Sequence, residues 1–366
     1  MRLTRALWIA FAWSAVTLWS QTPDVASVAG SYPTPNQSIP ASSALSPDNV
    51  KSLLNDLQSR LLDAMAANDP NQAAVVLNGM GVLYYKTSSY ENAVEAFQKA
   101  LALFQQTGYR RGEAWVLVET ALSYNSLGRK EKAIDYFNQS LGIWREIGDR
   151  ENEASTLSRM GDVYRTWHYP DLALKCYKKA LPIRVSLADK AGLAALLSKR
   201  GLAYFDLRFS GKALKDFNQA LEIFRSLSDT KGEALALLDI GATHNQAHDG
   251  RSALKALNEG LRLIGKSGNR RLEASVLNDI GFAYANLHQK GEALNSYKQA
   301  LFIFQELGDS QGQALVQKNI DSLWSSPKRQ SDPFIAQSPN DQAWVVLSAP
   351  NIPDVSSAHP RNLPPK

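Results

Sequence analysis

Apolar positions between residues 48 and 324 fall at helical spacing, in blocks separated by short polar breaks, and the blocks themselves recur. LNDIGFAYANLHQKGEALNSYKQALFIFQELGD (277–309) lies over LLDIGATHNQAHDGRSALKALNEGLRLIGKSGN (237–269) without a gap when one is shifted by 40 residues. The same shift works upstream. Small residues recur at Gly81, Ala121, Gly161, Gly201, Gly241 and Gly281, and alanine at Ala93, Ala133, Ala173, Ala213, Ala253 and Ala293. A second alanine recurs from Ala74 to Ala314 at the same step. Self-similarity at such a period predicts a solenoid.

The pattern predicts an all-α chain of six helix pairs. First helices lie near 72–87 and second helices near 90–106, each copied at 40-residue steps as far as 272–287 and 290–306. Leu53, Leu54, Leu57, Leu61, Leu62 and Met65 form one more stripe, a lone second helix over 48–67 that shields the open end. A partial first helix over 312–324 closes the other end, with Asp321 where glycine stood. The small residues let paired helices approach. Large ones fill the space around them: Tyr84 and its copies on first helices, Phe97, Phe137, Tyr177, Phe217 and Tyr297 on second helices. His244 and Leu257 replace both aromatics in the fifth pair, which should be the least well filled. Gly108, Gly148, Gly268 and Gly308 mark exits between pairs and Gly128 a turn within one.

Outside the array the composition changes. Arg2 and Arg5 precede an apolar run over 6–19, which reads as an export signal or an uncleaved membrane tether within 1–29. Residues 30–47, rich in Pro and Ser, read as a flexible linker, and 325–366 as a disordered tail. The expected location is therefore the periplasm, the cell envelope or the exterior.

Charge and chemistry narrow the function little. The formal charge of +5 over 366 residues is mild and does not announce nucleic acid. The single cysteine, Cys176, rules out an internal disulfide and sits in a helix, where a packed thiol outweighs a nucleophile. His244 and His248 are four apart but form an incomplete metal set. No phosphate loop is present, so neither enzyme chemistry nor a cofactor is expected.

Leu77, Gly81, Tyr84, Ala93, Phe97 and Ala100, with their copies, resemble the tetratricopeptide repeat in its longer, 40-residue variety. Similar repeats occur in kinesin light chain, in the Pins/LGN group of polarity adaptors and in bacterial, notably cyanobacterial, repeat proteins. The resemblance implies a right-handed superhelix whose first helices line a concave groove for protein or peptide partners. On the family's pattern, groove positions lie three before and one, four and five after the small residue. The candidates so placed are Asn78, Val82, Tyr85, Lys86, Leu122, Asn125, Asp162, Arg165, Phe205, Asp206, Asn245, Gln246, Asn278, Phe282 and Asn286. Tyr85, Arg165, Phe205, Asn245 and Phe282 are expected on the side of the first helix away from the second. Glu119, Arg159, Lys199, Asp239 and Asp279, two residues before the small position, are expected to pair across the stack at its surface.

The leading expectation is a protein-binding scaffold. A structural repeat protein that self-assembles through its end helices, without a dedicated ligand, stays open as an alternative, and a nucleic-acid-binding solenoid ranks behind both. The export expectation is testable. Residues 1–47 fused to a reporter that works only after export should give active reporter, and activity confined to a cytoplasmic reporter would reject it.

Overall fold

A computed structural model describes residues 47–265 and 268–324. The export segment or tether expected over 1–29, the linker over 30–47 apart from Pro47, and the tail over 325–366 lie outside the described residues. The described residues form fourteen helices and no strand. In order they are α1 (Pro47–Ala66), α2 (Pro70–Lys86), α3 (Tyr90–Thr107), α4 (Arg110–Ser126), α5 (Lys130–Glu146), α6 (Arg150–Thr166) and α7 (Pro170–Ser186). There follow α8 (Lys190–Asp206), α9 (Ser210–Ser226), α10 (Thr230–Gln246), α11 (Gly250–Ile264), α12 (Arg270–Asn286), α13 (Lys290–Glu306) and α14 (Ser310–Trp324). The even-numbered helices α2 to α12 are first helices and the odd-numbered α3 to α13 their partners. The chain is an all-α solenoid.

A finer period than the 40-residue repeat sets the turns. A residue in the left-handed region stands every twenty residues from Asn68 to Gly308, with φ between +52° and +71°. Apart from the turn at Gly268, which follows residues outside the described ones, each turn uses the same main-chain bonds. Ser88 and Ser89 donate back to the carbonyls of Tyr85 (3.0 Å) and Tyr84 (2.8 Å), and Gly308 and Asp309 to those of Gln305 (3.1 Å) and Phe304 (2.9 Å). This crossed pair of bonds satisfies the last carbonyls of the helix. Glycine takes the position at 108, 128, 148, 268 and 308, as expected; Ala188, Arg208 and His248 are among the side chains that occupy it elsewhere. A side chain there costs about 1–2 kcal/mol, which the two main-chain bonds and the packing on either side offset.

First helices start two residues earlier than the apolar pattern predicts, because their caps lie ahead of the first apolar residue. Asp69, Asp149, Asp189, Asp229, Asn269 and Asp309 each accept from the amide three residues on, at 2.8–3.1 Å. Such a cap contributes about 1 kcal/mol.

Each first helix packs on its own second helix and on the one before it, and successive first helices also touch one another. No two second helices of the described chain approach as closely, so the first helices form the inner layer. The seat between layers is specific. A Cβ on Gly201 would stand 2.6 Å from Phe217 Cε1, and one on Gly281 2.6 Å from Tyr297 Cδ1. The ring therefore lies on bare first-helix backbone within its own pair. In the fifth pair Leu257 takes the seat, fully buried against Gly241, while His244 is half-buried beside Asp249 (3.3 Å). At the far end Ala314 and Asp321 are exposed, because no described second helix follows α14.

Gly201→Leu should destabilise the chain by about 2 kcal/mol or more, as overpacking a filled seat does. Gly211→Leu, at a site with nothing within 4 Å, should change the urea midpoint little. Equal midpoints for the two variants would refute the seat.

Candidate functional site

The candidate residues converge on the seam between successive first helices. In a helix each residue turns about 100°, so the residue four after the small position lies about 40° from it and the residue one after lies about 100° away. These positions flank the second helix instead of opposing it. The burial follows. Arg165 is 7% exposed and Asn245 2%, closed between helices, whereas Tyr85, Phe205 and Phe282 are half-buried at the inner surface.

Polar side chains cross this seam in register. At the first end, Ser126 Oγ donates to Tyr85 Oη (3.4 Å), and Tyr85 stacks edge-on against Tyr90 with centroids 5.5 Å apart. Asp162 accepts from Tyr177 Oη (2.7 Å) within its pair and from Lys199 Nζ (2.6 Å) across the seam. Arg165 Nε lies 3.6 Å from Asp206 Oδ2. Gln246 Nε2 donates back to the Phe205 carbonyl (3.4 Å) and Asn245 Nδ2 forward to the Asp279 carbonyl (2.9 Å). Asn286 Nδ2 donates to the Asn245 carbonyl (3.2 Å), and Asn319 Nδ2 to Asn278 Oδ1 (2.8 Å). Val82 is buried. Asn78, Lys86, Leu122 and Asn125 are half-buried near the first end, and burial lowers the Lys86 pKa.

The residues two before the small position lie deeper than the sequence reading placed them. Glu119 does meet Arg159 across the seam, at 3.9 Å. Asp239, however, is 8% exposed, and burial pushes its carboxyl up to about 7 against the pull of Arg165. Burial likewise pushes Asp279 up to about 7, although a hydrogen bond with Asn278 opposes it. The one signal that could have marked these two is that both are acidic in adjacent repeats, so neither can neutralise the other.

The remaining candidate chemistry is structural. Cys176 is buried and its thiol is pushed up to about 12 by that burial, so at neutral pH it is not a thiolate. His248 faces Asn286 Oδ1 (3.2 Å) and His244 faces Asp249, so the two do not share a ligand. Among the described residues no three His, Cys, Asp or Glu side chains are grouped to hold a metal ion. No helix of the described residues is long and apolar enough to cross a membrane.

A family model described as tetratricopeptide repeat matches residues 72–146, 121–184 and 192–266. No curated protein is similar enough in sequence to count as a match. Among solved structures the chain is similar to a signal transduction ATPase with numerous domains carrying a tetratricopeptide repeat sensor, from Pyrococcus horikoshii. That likeness has a TM-score of 0.59 and 15% identity over 73% of this chain and 43% of that one. It is also similar to the apo form of RapI (TM-score 0.52, 16% identity, 68% of this chain and 96% of that one). The quorum sensor NprR from B. thuringiensis, in its apo form, gives 0.51, with 17% identity over 76% of this chain and 84% of that one. At these identities the likeness is one of fold.

The raised carboxyls of Asp239, buried, and Asp279, half-buried, make stability depend on pH. Folded, Asp239 and Asp279 keep their protons up to about pH 7; unfolded, they lose them near about pH 4. The folded state thus binds more protons across that interval, and stability falls as pH rises through it. The double variant Asp239→Asn, Asp279→Asn removes this. By urea unfolding it should match the parent at pH 4 and exceed it at pH 8 by on the order of a few kcal/mol. A constant difference between the two across that range would contradict the buried, proton-holding assignment.

Proposed function

The chain belongs to the tetratricopeptide repeat family, and on that premise we propose that it is a protein-binding scaffold whose inner seam holds a peptide segment of its partner. The observation that carries the reading is a contrast along the repeats. Packing positions keep one chemistry, small against large, from pair to pair. Seam positions change: Tyr85, Asn125, Arg165, Phe205, Asn245 and Ala285 share one register and no chemistry. Half-buried aromatics with polar groups between them suit an extended peptide, which needs pockets for side chains and partners for its main chain. The proposal also takes the scaffold to act outside the cytoplasm, through the N-terminal segment whose export test is given above, with no cofactor and no catalytic role.

A second reading, assembly through the ends, has one observation in its favour. Leu62 (67%) and Met65 (65%) on α1 and Trp324 (61%) on α14 are exposed at opposite ends of the array. Sedimentation that finds only monomers at micromolar concentration would remove it.

The seam is tested by titrating a partner captured with the full chain against Phe205→Ala, Phe282→Ala and Lys215→Ala. Lys215 is exposed on the second helix α9. Each aromatic truncation should weaken binding by about 2 kcal/mol without changing the helical signal, and Lys215→Ala should bind like the parent. The opposite pattern would move the partner to the outer face and sink the proposal.

A further inference from the structure

Along the first part of the seam, acidic side chains meet cations from the neighbouring first helix. Glu119 faces Arg159 at 3.9 Å, Asp162 faces Lys199 at 2.6 Å and Asp206 faces Arg165 at 3.6 Å. The series stops at α10. Asp239 and Asp279 stand on α10 and α12 in the register that Arg159 and Lys199 hold on α6 and α8. Neither carboxylate has an ion-pair partner within 4.0 Å among the described residues. Around Asp239 the cation that acts on it is Arg165, already set against Asp206. Around Asp279 stand Asn278, which hydrogen-bonds it, and Tyr297, whose hydroxyl is pushed up by burial and by this carboxylate. A buried carboxyl without a cation keeps its proton, and to ionise at neutral pH it needs something to supply the missing charge.

The amides beside these carboxylates make the same demand. Asn245 and Gln246 both spend their N–H groups on main-chain carbonyls, of Asp279 and Phe205 respectively. Turning either amide would set oxygen against oxygen, so the assignment follows from the bonds. What remains is Asn245 Oδ1, on a side chain 2% exposed, and Gln246 Oε1; both are buried and accept no hydrogen bond. Asn245 bridges α10 to α12 beside Asp279, and Gln246 bridges α10 to α8. Once the two carboxyls give up their protons, the unfilled positions on this stretch of the seam are therefore acceptors.

We infer that the seam of α8, α10 and α12 is a subsite for a cationic group of a bound peptide, an ammonium or a guanidinium, held by Asp239 and Asp279 with Asn245 Oδ1 and Gln246 Oε1 as further acceptors. The inference rests on the reading of the inner seam as the binding face and names what that face selects. A guanidinium carries five N–H donors in a fixed fork and an ammonium three, so either offers a carboxylate its charge and keeps donors for a neighbouring amide oxygen. The formal charge of the chain is +5, so attraction for a cation is local to this patch and not a property of the whole surface. Because the two carboxyls hold protons up to about pH 7 when the site is empty, a cation drawn in at lower pH displaces protons into solution.

The probes are four nonapeptides on a Gly-Ser background, all amidated. Three are acetylated and carry two arginines, two lysines or two citrullines; the fourth is the citrulline peptide with a free N-terminus. Calorimetry with the full chain at pH 6.5, in two buffers of different ionisation heat, should show the arginine or lysine peptide at least tenfold tighter than the acetylated citrulline peptide, with protons released. A tenfold gain for the free N-terminus alone would name the chain terminus as the source of the cation and equally support the subsite. In Asp239→Asn, Asp279→Asn, shown folded by its helical signal and urea midpoint, the preference and the proton release should both disappear. The subsite is overturned if charged and neutral peptides bind alike, if the double variant keeps the preference, or if no peptide binds at millimolar concentration. Should all peptides bind alike and Phe205→Ala weaken all of them, the seam stands as the binding face and the cationic subsite alone falls.

Discussion

The structure depends on one contact repeated six times: a large second-helix side chain resting on first-helix backbone that carries at most a methyl group. Phe217 on Gly201 and Tyr297 on Gly281 leave no room for a Cβ, and Ala121 opposite Phe137 is the largest residue the position holds. The seat sets the distance between the two helices of each pair. Left-handed residues at twenty-residue intervals then give both helices the same length and bring the chain back in the same register. Because packed interiors tolerate little change in volume, a constant seat with constant turns makes the stack regular. The regularity carries every inner position of one repeat to a matching place in the next.

That matching is what gives the seam its character. Bonds between first helices link residues 34 to 41 apart in sequence, such as Asn245 to the Asp279 carbonyl and Gln246 to the Phe205 carbonyl. Side chains that differ from repeat to repeat thus meet across a fixed spacing. In the first half the differences cancel, acid against base. In the second half Asp239, buried, and Asp279, half-buried, have no ion pair and stand near the orphaned amide oxygens of Asn245 and Gln246; at the first end Asn78 Oδ1 is orphaned as well. A face built this way holds its own helices together over one stretch and leaves acceptors unfilled over the next.

Much of the fold was legible because it is periodic. The shift of 40 residues, the small positions and the rings facing them all repeat, so errors at one copy are corrected by the others. What was missed was local. Asp149 and Asp309 precede the first apolar residue of their helices, so a reading that begins at the apolar stripe starts two residues late. The left-handed position is announced where glycine holds it, whereas Ser88 and Arg208, whose side chains give no such signal, are marked by the period alone. The site was legible only as a set of positions. Asn245 and Phe205 share one register, yet the first is closed and the second half-buried, and spacing alone does not reveal how near the next first helix lies. Nor does sequence show that Asp239 and Asp279 lack an ion pair, since Arg165 and Lys199 are available in composition and paired with Asp206 and Asp162 in space.

The central claim is that partners meet the inner seam and not the outer helices. It is tested most directly by installing a photo-crosslinking residue singly at Ala242 and Ala285 on the inner helices, and at Lys215 and Glu222, exposed on the outer helix α9. After irradiation of the chain in its own cells, adducts should form at Ala242 and Ala285 with the same partner, and not at Lys215 or Glu222. Adducts with that partner at the outer positions alone would contradict the account, whatever the fold.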